Sequence, residues 1–436
     1  MLRLLIFGWT VQLAAIAAAG EFAAPRQVDE RRAAQVGLRK IVGRHLRLYT
    51  DLPPSDAVDS LPAVFDAAVP LWAEYFQVDV GQLRNWRMQG YLIQERAKFA
   101  ALGLLPKEKP DFATGFSNGN ELWLMEQPSD YFRRHLLLHE GTHGFMYTEL
   151  GDTGAGWYME GMAELFGTHR WQQGKLDLRV MPSSRQEVPM WGRIKLVREA
   201  YRAGTPLDLP QVISLKKRRA FSTSEYAWAW ALCQFLDSHP RWQKKFRQLT
   251  KHVNEQNFNQ RFRHDFQAEW PELLTEWQAF VATLDYGYDA HRMAMQHLPV
   301  SPVTDETLTA GKSSVTIAAD RGWQSTGWLF EAGQEFRVTA EGRYQIAIGL
   351  NADGGPWPCE PGGVTLEYHA GHPLGMLLGA WRSLASNRFS KPITVGLTAK
   401  LKPPEDAVLY LRVNDSPARL SDNRGSLDVS IRRITD

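Results

Sequence analysis

Residues 139–143 read His-Glu-Gly-Thr-His, and residues 157–164 read Trp-Tyr-Met-Glu-Gly-Met-Ala-Glu. Positions four apart on an α-helix share a face. His139 and His143 can therefore turn two imidazole nitrogens toward one point, while Glu140, about 100° further round, reaches beside it. The flanks favour a helix: Pro128-Ser129-Asp130 offers a start and a cap, Leu136 to Leu138 an apolar anchor, and Gly151 a stop. The second stretch follows the Gly-rich loop 151–156 and sets Glu160 and Glu164 one turn apart on one face. Trp157, Met159, Met162, Leu165 and Phe166 surround that pair, which argues for a buried helix.

A catalytic zinc takes three protein ligands and keeps a fourth position open. His139, His143 and Glu160 supply the three, with Glu140 as general base and Glu164 as an acceptor for an imidazole N–H. The metzincin spacing is excluded, because the third and sixth positions after His143 hold Met146 and Glu149. His135 lies one turn before His139, displaced by about 6 Å along the axis, which argues for a supporting or surface role. The basic run 216–219 reads as a solvated loop.

HExxH followed by Trp-x-x-Glu-Gly-x-Ala-Glu resembles the gluzincin zinc metallopeptidases, the peptidase MA-like families related to aminopeptidase N and, more distantly, thermolysin. The resemblance spans residues 115–240. It implies a zincin-like catalytic domain that hydrolyses peptide bonds of a polypeptide substrate, with Glu160 as the ligand carboxylate. The 16 residues between His143 and Glu160 are fewer than in aminopeptidase N-like enzymes. The exopeptidase motif of those enzymes is absent, so endopeptidase action is favoured. Tyr226 stands where the family places a tyrosine that donates to the oxyanion; beside Trp228 and Trp230 it reads equally as a core aromatic. Glu121 to Met125 resembles the edge strand that pairs with substrate backbone, and by pattern alone is an ordinary sheet strand.

Around this motif, 436 residues are too many for one core, and strands and helices are segregated along the chain. That favours an α+β fold: an N-terminal α/β part over 26–128, a helical zinc-binding part over 129–297 with a helix expected to run to 172, a linker at 298–304, and an all-β sandwich over 305–436. Residues 1–20 read as a signal peptide, which places the chain in the periplasm or outside the cell. No later stretch is long enough to span a bilayer, so no membrane span is expected once the leader is removed. With 50 basic and 48 acidic residues the formal charge is +2, which calls for no nucleic acid. Two cysteines, Cys233 and Cys359, make no disulfide scaffold. The 16 tryptophans either pack cores or line clefts.

Residues 305–436 resemble the β-sandwich of the PA-I-type galactophilic lectins. Gly322 to Trp328, Leu409 to Asp415 and Asp422 to Val429 carry that likeness. It implies a loop that binds calcium and, through it, glycans, with Asp415, Asp422 and Asn423 as hard oxygen ligands. Arg419 stands where a neutral ligand is expected, and the same loop reads as an Asx-rich turn of a structural sandwich. Two other functions stay open: a glycan-binding or adhesion protein with a vestigial zincin domain, and a zinc hydrolase of non-peptide amides such as cell-wall links.

Overall fold

The N-terminal part is built on a mixed sheet in the order β1-β2-β3-β5-β4, formed by β1 Arg39–Val42, β2 Leu46–Thr50, β3 Met88–Ile93, β4 Gly115–Ser117 and β5 Glu121–Met125. The computed structural model describes residues 24–109, 111–216, 221–303, 314–347 and 355–434; the leader-like stretch 1–20, most of the basic run and the start of the expected β-module lie outside them. Strands β2, β3 and β5 are parallel, with β1 and β4 antiparallel at the two edges. Parallel neighbours need a crossover, and helix α1, Leu61–Phe76, lies within the first. Gly119, at φ 97°, makes the tight turn between β4 and β5 that Asn118-Gly119 foretells. The hairpin has a consequence for the expected edge strand. Because β4 covers the outer side of β5, residues 121–125 are interior and the free edge belongs to Gly115–Ser117.

Five longer helices follow: α2 Asp130–Phe145, α3 Gly156–Gly167, α4 Arg193–Arg202, α5 Thr223–Ser238 and α6 Trp270–Thr283. The Ser129 hydroxyl caps α2 by accepting from Phe132 N at 3.3 Å, and Ser222 with Glu225 forms a capping box on α5. Helix α2 widens into a π-turn at Met146–Leu150 and stops at Gly151, φ 82°. Helix α3 ends at Gly167, five residues before the expected end. Residues His169–Gln172 and Lys175–Leu178 instead pair as a hairpin across Gln173 and Gly174, both at positive φ, as a type I′ turn requires. Trp72, Trp157, Trp191, Trp230, Trp242 and Trp277 are fully buried in this part, so much of the tryptophan serves packing.

The C-terminal region is all-β. One sheet orders Ile393–Thr394, Leu377–Ser383, Ala407–Val413, Gln324–Phe330 and Ser301–Pro302; the other orders Thr398–Leu401, Phe336–Glu341, Ser426–Arg433 and Ser314–Ala318. Ser301 and Pro302, within the stretch expected as a linker, thus belong to a sheet. Strand Ala407–Val413 is buried at every position because it has two dry faces. Leu409, Leu411 and Val413 pack in the sandwich core. Val408 and Tyr410, with Leu378 and Ala380 of the neighbouring strand, pack instead against Ala279 of α6, Met295 and Trp323.

One polar chain crosses that apolar seam. His297 places Nδ1 2.8 Å from the Tyr410 hydroxyl and Nε2 2.7 Å from Glu276 Oε1. The other Glu276 oxygen pairs with His239 and accepts from Trp242 Nε1. Burial pushes the Glu276 carboxyl up, but the two histidines outweigh it and hold it below its ordinary value. A depressed carboxyl stabilises the fold above its unfolded pKa, about 4.3, and loses that contribution as pH falls through the lower folded value. Glu276→Gln is therefore expected to cost on the order of 3 kcal/mol at pH 7. Chemical denaturation of both chains should show this gap close below about pH 4; a pH-independent gap would contradict the assignment.

Candidate metal centre

Helices α2 and α3 lie side by side and bring His139, His143 and Glu160 to one point. The two Nε2 atoms are 3.2 Å apart, and Glu160 Oε2 lies 3.2 Å from that of His143 and 3.4 Å from that of His139. Zinc–ligand bonds of about 2.0–2.1 Å at a tetrahedral centre separate the ligand atoms by about 3.3–3.4 Å. The triangle therefore has the edges a tetrahedral cation needs. Each corner can offer a lone pair, and a proton can relieve only one edge, whereas a cation relieves all three. The donor set of two imidazoles and one carboxylate fits zinc, and no corner residue is more than 9% exposed.

The electrostatics agree with a cation site. Burial pulls the His139 imidazole down, but Glu160, Glu140 and Glu164 more than reverse this and bring it to about 9. Burial would raise Glu160, yet His143 and His139 hold it at about 2. The carboxylates around His139 thus favour positive charge at this point, which a proton or a metal would supply.

Glu140 sits between the two histidines and the sheet edge. Its Oε2 accepts from Ser117 Oγ of β4 at 2.9 Å. A Cβ on Gly115 would come within 2.4 Å of its Oε1, so glycine leaves the room that carboxylate occupies. Tyr226, near the start of α5, places its ring centroid 5.9 Å from that of His139, which brings the phenol to the site. Burial, then Glu160, Glu140 and Glu164, push its hydroxyl up, so it is a neutral donor at any physiological pH.

Behind His139, Glu164 is held differently from the expectation. Its Oε1 is 3.6 Å from His139 Nδ1, longer than a hydrogen bond. The carboxylate is instead chelated by Arg193, with Nε to Oε2 at 3.0 Å and Nη2 to Oε1 at 2.8 Å, and Trp191 Nε1 adds a third donor at 3.2 Å. Burial would raise the Glu164 carboxyl; Arg193 and then His135 hold it well below the carboxylate range. His135 is fully buried and places Nε2 3.5 Å from Glu164. His135, His139 and Glu164 also have cation-site spacing, but the guanidinium already supplies the positive charge there. Ser117, Trp191 and Arg193 were not singled out from the sequence. The nearest signal is Trp-Gly-Arg at the start of an amphipathic helix.

In the β-region, Asp415, Asp422 and Asn423 come together in the loop after strand Ala407–Val413. Asp415 Oδ1 accepts from Ser416 N at 2.6 Å. Its Oδ2, with Asp422 Oδ1 and Asn423 Oδ1, is buried without a hydrogen-bond partner among the described residues. Burial raises the Asp415 carboxyl. Arg419 pairs with Glu367 and leaves its Nε 3.8 Å from Asp415 Oδ1. The same loop packs on the helical part: Pro417 O accepts from Asp289 N at 3.0 Å, and Leu420 lies in the helical core. The two cysteines are free and buried. Among the described residues, no helix is long and apolar enough to cross a membrane.

No protein-family model matches the chain, and no curated protein matches it. Among solved structures it is similar to the EclA N-terminal domain, a PllA-like lectin, at 21% identity over 28% of this chain and 95% of that one, with a TM-score of 0.22. It is also similar to PliG of Aeromonas hydrophila, a periplasmic inhibitor of g-type lysozyme, at 12% identity over 32% of this chain and 100% of that one, with a TM-score of 0.15.

The position of Glu160 rests on a close helix contact. A Cβ on Gly161 would lie 2.4 Å from Cys233 Sγ and 2.6 Å from the Ala229 carbonyl oxygen, and the carbonyl cannot move without α5. Gly161→Ala is expected to cost about 1–3 kcal/mol by urea denaturation. A cost under about 0.5 kcal/mol would mean that α3 and α5 have slack.

Proposed function

We propose that the chain is an exported zinc metallopeptidase of the gluzincin type, acting within polypeptides. The observation that carries this reading is the 3.2, 3.2 and 3.4 Å triangle of His139, His143 and Glu160 with Glu140 beside it. Zinc, when bound there, polarises the scissile carbonyl and makes water acidic enough to react near neutral pH. Glu140 takes the proton from the attacking water and returns it to the leaving amine, so one carboxylate serves as base and then acid. Ser117 keeps one Glu140 oxygen occupied and so fixes the direction in which the other faces. The Tyr226 phenol donates to the carbonyl oxygen as it gains charge. The free edge of β4, beside Glu140, supports an extended polypeptide as substrate, because an unpaired strand edge holds backbone of any sequence.

Purified chain is expected to hold one zinc, counted by elemental analysis. Glu140→Gln should keep the metal and lower casein cleavage by about 10²-fold or more, while His143→Ala should lose metal and cleavage together. Absence of zinc at neutral pH, or full cleavage by Glu140→Gln, would overturn the proposal.

A second reading concerns the β-region and is favoured by its three orphaned oxygens. Leaving buried acceptors unpaired costs about 1–3 kcal/mol each, and a hard divalent cation would satisfy them together. We infer a calcium site at Asp415, Asp422 and Asn423, with glycan contact through the β-region as its companion. Calcium at a hundred times its Kd should add about 2.7 kcal/mol to unfolding, and Asp415→Ala should abolish that gain. A glycan array with and without calcium tests the companion. Stability indifferent to calcium would remove the site.

A further inference from the structure

Glu164 receives three donors from one short segment, Trp191 to Arg193. Trp191 and Arg193 flank Gly192, whose φ of 64° is left-handed and suits glycine. The turn it makes, at the N-cap of α4, lets both side chains meet the same carboxylate. Arg193 is 7% exposed and Trp191 1%, so the contact is dry. The guanidinium carbon also lies 5.5 Å from the centroid of the Tyr226 ring, within cation–π range.

We propose that Arg193 is the positioning residue of the metal centre, holding Glu164 behind His139 and the Tyr226 ring beside it with one guanidinium. The inference rests on the zinc reading above. A bidentate fork fixes a carboxylate in plane and direction, which a point charge does not. Here it takes both Glu164 oxygens and leaves His139 Nδ1 at 3.6 Å, so the imidazole is faced by a carboxylate already neutralised. Glu164 is the carboxylate that faces Nδ1, and its fixed position limits how the His139 ring, and with it Nε2, can turn within the triangle. Because the same cation lies against Tyr226, loss of Arg193 loosens a ligand and the oxyanion donor at once.

The test measures zinc affinity by competition with a chromophoric chelator, alongside the visible spectrum of the cobalt-substituted chain. Arg193→Met is expected to weaken zinc about 10–100-fold and to alter the cobalt bands. Arg193→Lys, which restores charge without the fork, should fall between Met and wild type. If Arg193→Met fails to fold, Arg193→Lys alone carries the comparison and must still bind more weakly than wild type. Wild-type zinc uptake with both variants within twofold of it, and unchanged cobalt spectra, would sink this inference while the zinc reading stands. A wild-type chain that takes up no zinc removes both.

Discussion

A carboxylate taken out of water costs several kcal/mol unless positive charge or hydrogen-bond donors meet it. Helix α3 takes two such groups inside, Glu160 and Glu164, one turn apart. Much of the helical part can be understood as the answer to that cost. Glu160 is met by the two α2 histidines, so α2 must run alongside α3 with its His139 and His143 face inward. Glu164 is met from a third direction, by the segment that opens α4. The aromatic filling follows: with the polar groups clustered at one level, the remaining faces of these helices are dry and take Trp157, Tyr158, Phe166 and Trp230.

Close approach is the second condition. The triangle of His139, His143 and Glu160 has edges of 3.2 to 3.4 Å, which requires the helices that carry it to lie close together. Gly167 of α3 sits at that contact, where a Cβ would lie 2.6 Å from the His135 ring, and Gly161 against α5 and Gly115 against Glu140 give the same closeness on the other sides. A site of this kind is assembled by backbone proximity and then fixed by the few side chains that fit the remaining space. Its polar groups leave little exposed surface, which strengthens each electrostatic interaction inside it.

What could be read from the sequence was what local periodicity encodes. Histidines four apart must share a helix face, and Glu160 and Glu164 inherit their common face from the same rule, so the candidate ligand set was visible in residue order. Ser129 and Gly151 marked the helix limits for equally local reasons. Position within a sheet is not local. The Asn118-Gly119 turn announces a hairpin but does not say which of its strands lies outermost, and Gly115–Ser117 holds the edge because β5 pairs with β3 on its other side. The helical pattern runs on past the end of α3 because the strand His169–Gln172 carries no helix breaker of its own; the break comes with Gly167 and the left-handed pair Gln173 and Gly174. Arg193 lies 29 residues beyond its carboxylate, and no spacing rule connects them.

Strand Ala407–Val413, with one face in the sandwich and the other on the helical part, bears on how such a chain can be rearranged. Its alternate residues answer to different neighbours, so a substitution at Val408 is judged by Met295 and Ala279 while one at Leu409 is judged by the opposite sheet. The β-region is consequently not a cassette. Transplanted to another host, it would arrive with Leu378, Ala380, Val408 and Tyr410 facing water, and the helical part left behind would expose their imprint. Any recombination that exchanged one region without the other would have to rebuild this shared surface first.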